Sequence, residues 1–223
     1  MNGIGDRLEA VHDRMVRACQ KAGRQEEDVR LIAVSKKVDT DRIRVAALLG
    51  VTDFGENYIQ EARAKIEMLP EGLCWHMIGH VQTNKIKYVP GLFKYVHSVD
   101  RQELLDALEK FGKPINLLFE VNLSGEPQKH GADADGLRRM LERGGKLKHI
   151  KPVGLMTMAP YVDNPEETRY VFAGLRKLLE SLNREFALEM QELSMGMSSD
   201  FEVAIEEGAT MVRIGTALFG ERA

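Results

Sequence analysis

Lys36 ends the run Val29-Arg-Leu-Ile-Ala-Val-Ser35-Lys36, an apolar, strand-like segment that stops on an amine. Near the other end of the chain, Met211-Val-Arg-Ile-Gly-Thr-Ala-Leu-Phe219 reads as strand, glycine, threonine and short helix. The first segment offers a nucleophilic nitrogen. The second offers a seat for a phosphate. Gly215 lets an oxyanion approach the backbone, Thr216 adds a hydroxyl and an N–H, and a starting helix turns its dipole and free N–H groups toward an anion. A fold that joins the first and last strands would combine the two into a site for an aldehyde that carries a phosphate. Among apolar neighbours a lysine keeps more of its neutral, attacking form, because burial penalises the charge. Lys37 lies beside Lys36. Strand alternation sends the two side chains to opposite sides and does not say which faces inward.

Other polar residues fall where predicted strands stop. Glu56 and Asn57 follow the second strand, His80 and Gln82 the third, Asn122 ends the fifth, and Ser198 and Ser199 follow the seventh. Ser199-Asp-Phe-Glu202 fits a capping box, which by itself accounts for Ser199. Ser198 has no such structural duty and is the better phosphate donor. Arg213, on the eighth strand, has three possible partners: a pyridine nitrogen, a phosphate, or a carboxylate such as Glu56. His76, His80 and His130 lack metal-ligand spacing, and the two cysteines, Cys19 and Cys74, suit neither zinc nor a disulfide framework.

These residues need a scaffold that places strand ends together. Strand patterns at 29–35, 51–55, 74–79, 95–99, 115–123, 152–158, 192–195 and 211–214 alternate with helical patterns at 40–49, 57–69, 84–88, 101–111, 134–143, 165–186, 200–207 and 217–221. A further helix at 5–22 precedes them, with Leu8, Val11, Met15 and Ala18 on one face. Asp100 is the expected cap of the helix that starts at 101. The expected fold is α/β, a single (β/α)8 TIM-type barrel with an additional N-terminal helix; a doubly wound sheet is the alternative. In such barrels the site lies at the C-terminal ends of the strands.

The 223 residues are 43% hydrophobic and 29% charged with a net charge of −3, enough for one core and without the basic surplus that nucleic acid calls for. No signal peptide or membrane span is legible, so the expected setting is the cytoplasm, with neither membrane nor nucleic acid as partner.

The chain resembles the pyridoxal phosphate homeostasis proteins, relatives of the N-terminal barrel of alanine racemase. The resemblance rests on Ala33-Val-Ser-Lys36, Phe54-Gly-Glu-Asn-Tyr-Ile-Gln-Glu61, Trp75-His-Met-Ile-Gly-His-Val-Gln82 with Asn84-Lys85, Val121-Asn122, Lys129-His-Gly131, Gly154-Leu-Met-Thr-Met158, Ser194-Met-Gly-Met-Ser198 and Val212-Arg-Ile-Gly-Thr216. It implies one barrel domain over residues 1–223 that binds pyridoxal 5'-phosphate as a Schiff base on Lys36. Lys36 is selected over Lys37 because it directly follows Val-Ser. Ser198, Ser199, Gly215 and Thr216 would hold the phosphate, and Asn57 and Arg213 would line the ring. The implied role is in vitamin B6 homeostasis without established turnover, as a monomer or weak dimer with transient contacts to apo-enzymes that use the cofactor.

Two enzymes share parts of this pattern. An amino-acid racemase needs acid–base groups on both faces of the substrate. Lys36 could serve one face, but none of the five tyrosines is an evident partner for the other. A Schiff-base aldolase shares the barrel, lysine and phosphate seat, but usually carries its lysine on a later strand.

Overall fold

The computed structural model describes residues 3–124, 130–144 and 147–221, with the side chains of 143 and 144 left aside. Lys129 of the Lys129-His-Gly131 motif lies outside the described residues. Helix α1 (Ile4–Lys21) precedes strand β1 (Arg30–Val34). Then follow α2 (Thr40–Leu48), β2 (Asp53–Glu56), α3 (Ile59–Ile66), β3 (Cys74–Met77), α4 (Val89–Leu92), β4 (Tyr95–Val99) and α5 (Gln102–Lys110). The second half contains β5 (Ile115–Glu120), α6 (Ala134–Gly144), β6 (Ile150–Met156), α7 (Arg169–Phe186), β7 (Glu192–Ser194), α8 (Phe201–Glu206), β8 (Met211–Ile214) and α9 (Thr216–Phe219). Short 3-10 turns cover Thr83–Tyr88 and Pro165–Thr168.

All neighbouring strands pair in parallel, and β8 closes on β1 with Ala33 opposite Ile214. The sheet is therefore the expected closed barrel, and the open doubly wound alternative is excluded. Side-chain alternation divides each strand between two environments. Ile32, Tyr95, Leu118, Met156 and Met211 form a separate cluster inside the barrel. Ala33, Phe54, Leu117, Phe119, Leu155, Val212 and Ile214 belong to the larger core under the helices. Lys36 and Lys37 follow the strand's last residue, Val34, in a turn where this alternation no longer applies.

The N-terminal helix buries Leu8, Val11, Met15, Ala18 and Cys19. It braces the closing end of the barrel. Arg14 makes two 2.7 Å hydrogen bonds to Glu202 and a third, at 3.3 Å, to Ser198 O. Lys21 pairs with Glu206, and Arg24 donates to the carbonyls of Ile205 and Ala209. From the other side Arg42 donates to Phe219 O at the end of α9.

Several boundaries differ from the sequence reading. Strand β6 starts at Ile150 and ends at Met156, because its pairing with β5 begins at Ile115↔Ile150. Arg101, not Asp100, occupies the N-cap of α5 and makes no side-chain cap; Asp100 instead accepts from Arg101 Nη1 at 2.7 Å. The Ser199 capping box does not form. Asp200 is the N-cap of α8 and accepts from Met197 N at 2.6 Å, while Arg14 holds Glu202.

Gly154 marks the tightest approach between strands. A Cβ there would lie 1.8 Å from Glu192 O on β7. Gly154→Ala should therefore destabilise the barrel by at least about 3 kcal/mol, since backbone on both sides must shift. Urea unfolding measures this. A loss below about 1 kcal/mol would mean that β6 and β7 separate without strain.

Candidate functional site

Closure of β8 on β1 gathers the two ends of the chain at the C-terminal mouth. After Val34 the backbone turns, with Val38 N bonded to Ser35 O at 3.0 Å and Lys37 at φ 59. Lys37 is exposed, and its backbone N–H donates to Glu61 at 2.5 Å. Lys36 is half-buried. Both lysines thus stand on the turn after β1, and they differ in burial, Lys36 half-buried and Lys37 exposed.

The outer side of this turn is a buried ionic cluster. Ser35 Oγ donates to Glu56 at 2.7 Å, and Lys65 Nζ donates to Ser35 O at 2.6 Å, to Glu56 at 2.8 Å and to Glu61 at 2.6 Å. Burial pushes the Glu56 carboxyl up, and Lys65 pulls against that shift. Glu56 is consequently not the partner of Arg213. It points away from the barrel interior and fixes the β1 and β2 ends that carry Lys36 and Asn57.

Asn57 is half-buried, and its Oδ1 is buried without a hydrogen-bond partner. Gly79 lets it sit there, since a Cβ at 79 would lie 2.6 Å from Asn57 Cα. Both residues line a cavity of 520 Å³ at the mouth, with His80, Gln82, Glu120 and Met158.

On the β7–β8 side, Ser198 Oγ accepts from Ala217 N at 3.2 Å, so Ser198, Gly215 and Thr216 meet at the start of α9. Thr216 and Ser199 are exposed. Arg213 is 5% exposed inside the barrel, donating to Ser194 Oγ at 2.7 Å and to Thr157 O at 2.9 Å. Burial lowers its pKa to about 10 while Glu120 and Asp200 oppose the shift.

Sequence reasoning missed Ser194, His97 and Glu120. Each occupies an inward strand position where an apolar residue is the default, and that is the signal that could have found them. It also expected no metal-ligand grouping. Among the described residues, Asp53, Cys74 and His76, and separately His80, Asp100 and His130, bring ligand atoms within 4.8 Å of one another. These groupings come from adjacent strands and loops, which linear spacing does not reveal. In the first trio His76 is already bonded to Asp53 at 2.8 Å, and in the second Asp100 is paired with Arg101.

The fold and site define a closed parallel (β/α)8 barrel with a half-buried lysine just past its first strand and a Gly-Thr turn into a short helix just past its last. Residues 7–223 match the family model described as alanine racemase, N-terminal domain. The chain is 46% identical over 222 residues to the pyridoxal phosphate homeostasis protein of Aquifex aeolicus (strain VF5), covering 97% of each. It is 37% identical over 237 residues to that of Escherichia coli (strain K12), covering 100% of this chain and 98% of the other. Among solved structures it is similar to PipY of Synechococcus elongatus PCC7942 with PLP bound, at TM-score 0.86 and 36% identity, covering 97% of this chain and 100% of PipY. Alanine racemase from Corynebacterium glutamicum shares the fold at TM-score 0.73 and 19% identity, with 96% of this chain and 61% of that one covered. The chain belongs to the pyridoxal phosphate homeostasis protein family.

Glu120 is the titrating group of this cavity. Burial and the Asp100 charge raise its pKa from 4.5 to about 7, with Arg213 pulling it down. The folded chain therefore holds a proton that the unfolded chain releases near 4.5. Its contribution to stability is full below that value and is lost as pH rises through about 7. Glu120→Gln should flatten this slope. In urea unfolding at about pH 5 and about pH 8, the variant should gain on the wild type at the higher pH. An equal difference at both would mean that Glu120 is ionised throughout.

Proposed function

We propose that residues 1–223 act as one barrel domain that binds pyridoxal 5'-phosphate and takes part in vitamin B6 homeostasis in the cytoplasm. The observation that supports this reading is the β1–β8 closure, which pairs the strand leading to Lys36 with the strand leading to Gly215 and Thr216. The residues present fit the cofactor. Asn57 Oδ1 is a buried acceptor without a partner, Lys36 supplies an amine, and the start of α9 supplies hydroxyl and N–H donors for an anion.

Lys36 would hold the cofactor through its aldehyde, by way of Nζ. Thr216, Ser198 and the Gly215 backbone hold the phosphate, with Ser199 at its exposed edge. Asn57 and Arg213 line the ring. Bound in this way, pyridoxal phosphate is an electron sink for chemistry at amino-acid α-carbons. An arginine at the ring nitrogen keeps that nitrogen unprotonated and weakens the sink, which suits holding the cofactor better than turning over a substrate. Racemisation would also need an acid–base group opposite Lys36. Of the tyrosines, Tyr58, Tyr161 and Tyr170 are exposed, and Tyr95 is packed flat on His76 inside the barrel. The partners in this reading are the cofactor itself and, transiently, apo-enzymes that require it, with the chain acting as a monomer or weak dimer. Among the described residues no helix is long and apolar enough to cross a membrane.

Borohydride reduction of protein loaded with pyridoxal phosphate, followed by peptide mapping, should place the pyridoxyl group on Lys36. A label confined to Lys37 overturns the assignment, and no label on either lysine overturns the function. For the phosphate seat, Thr216→Ala removes a hydrogen bond to a charged acceptor, worth about 1.5–3 kcal/mol. Affinity for pyridoxal phosphate should fall roughly tenfold or more, with little change for unphosphorylated pyridoxal. Equal losses for both ligands would make Thr216 a residue of the fold and not of the seat.

A further inference from the structure

Five polar side chains form an unbroken hydrogen-bonded chain through the barrel interior. Arg213 Nη1 donates to Ser194 Oγ at 2.7 Å, and Ser194 Oγ lies 2.8 Å from His97 Nδ1. His97 Nε2 lies 2.9 Å from His76 Nδ1, and His76 Nε2 lies 2.8 Å from Asp53 Oδ1. None of the five is more than 9% exposed. They stand on β8, β7, β4, β3 and β2, so the chain descends from the mouth, where Arg213 sits, to the first residue of β2.

Chemistry fixes its direction. An ionised carboxylate only accepts, so His76 gives Asp53 the proton on Nε2; the neutral ring accepts at Nδ1 from His97 Nε2, and neutral His97 accepts at Nδ1 from Ser194, whose oxygen accepts from Arg213. Both imidazoles are then neutral and in the same tautomer. Burial favours that state, lowering the pKa of His76 and lowering that of His97 still further, where the neighbouring His76, Arg213 and Arg30 add to the effect. At the lower end, burial works against the Asp53 carboxylate. The hydrogen bonds from His76 and Thr52 outweigh it, so the pKa of Asp53 is lowered. Tyr95 stacks on His76 at 4.6 Å between ring centroids and holds that ring in plane.

At the upper end the guanidinium is held at two points, by Ser194 Oγ and by Thr157 O. Ser194 can keep its place only while its proton has an acceptor, and that acceptor is His97. We propose that Ser194, His97, His76 and Asp53 are positioning residues, aligned from Arg213 to Asp53, that set the orientation in which Arg213 meets the bound cofactor. This rests on the pyridoxal phosphate reading above. The residues of the chain do not touch the reacting atoms. They act through Arg213, whose orientation decides whether the ring nitrogen faces a donor.

Two experiments test it. Nitrogen NMR of histidine-labelled, cofactor-free protein should show His76 and His97 neutral and protonated on Nε2 at neutral pH. A proton on Nδ1 of either ring, or a charged ring, overturns the chain. The second experiment measures pyridoxal phosphate affinity and the absorption spectrum of the complex. His97→Leu should weaken binding roughly three- to tenfold and shift the absorption band. His97→Gln, which keeps an acceptor and a donor, should restore most of the affinity and the band position. In an Arg213→Lys background, His97→Leu should change nothing further, because the two act as one unit. Additive losses, or a folded His97→Leu protein with wild-type affinity and spectrum, overturn the proposal. Failure of wild-type protein to bind pyridoxal phosphate would remove the cofactor reading, while the tautomers, read without cofactor, still decide the chain.

Discussion

The parallel pairing of β1 with β8 is the constraint on which the site depends. Lys36 and Thr216 are separated by nearly the whole sequence, and only the register Ala33↔Ile214 brings their strand ends level. The closure leaves the sheet without an edge, and it buries most positions of the strands on both faces. Its outer supports are charged. Arg14 on α1 and Arg24 just after it hold α8 and the loop before β8, and the Lys65 cluster holds the turn after β1. A buried pair such as Lys65–Glu56 adds little net stability over an apolar pair of the same volume, but removing one partner leaves a buried charge. These contacts therefore act as locks on the positions of the strand ends.

The barrel interior combines an apolar layer with a polar one. Ile32, Leu118, Met156 and Met211 fill the space in the ordinary way. Other inward positions carry Arg213, Ser194, His97, His76 and Asp53, which hydrogen-bond to one another in turn. Polar groups withdrawn from water are costly unless paired, and paired they are sterically specific. At the mouth the same interior gives way to the cavity lined by Asn57, Gly79 and Glu120.

Much of this was legible in the residues. Alternating strand and helix patterns gave the barrel, because a parallel strand buried on both faces reads as an apolar run, as Ile115–Glu120 does. Lys36 and the Gly215–Thr216 turn were visible because their residue types are unusual at strand ends. What linear reading could not supply was parity and partnership. Lys36 and Lys37 became distinguishable only by their burial on the turn after β1, the first half-buried and the second exposed. Glu56 was a plausible partner for Arg213 until Lys65, nine residues along and on the next helix, proved to hold it. The Ser199 capping box failed for a similar reason: Arg14, distant in sequence, competes for Glu202. His97 and Ser194 carry no local motif, and they gain meaning only from strands that pack across the interior.

The closing pair also sets an order of events in the life of the molecule. On the ribosome, β1 with its lysine emerges long before β8 and α9 are made. Until the last strand docks, the amine has no anion seat beside it and no sealed interior beneath. A nascent or partly folded chain thus offers a reactive aldehyde only a solvent-exposed lysine, one among many. On the proposed reading, selective capture of the ligand becomes a property of the closed barrel, and loading reports that β8 has docked on β1.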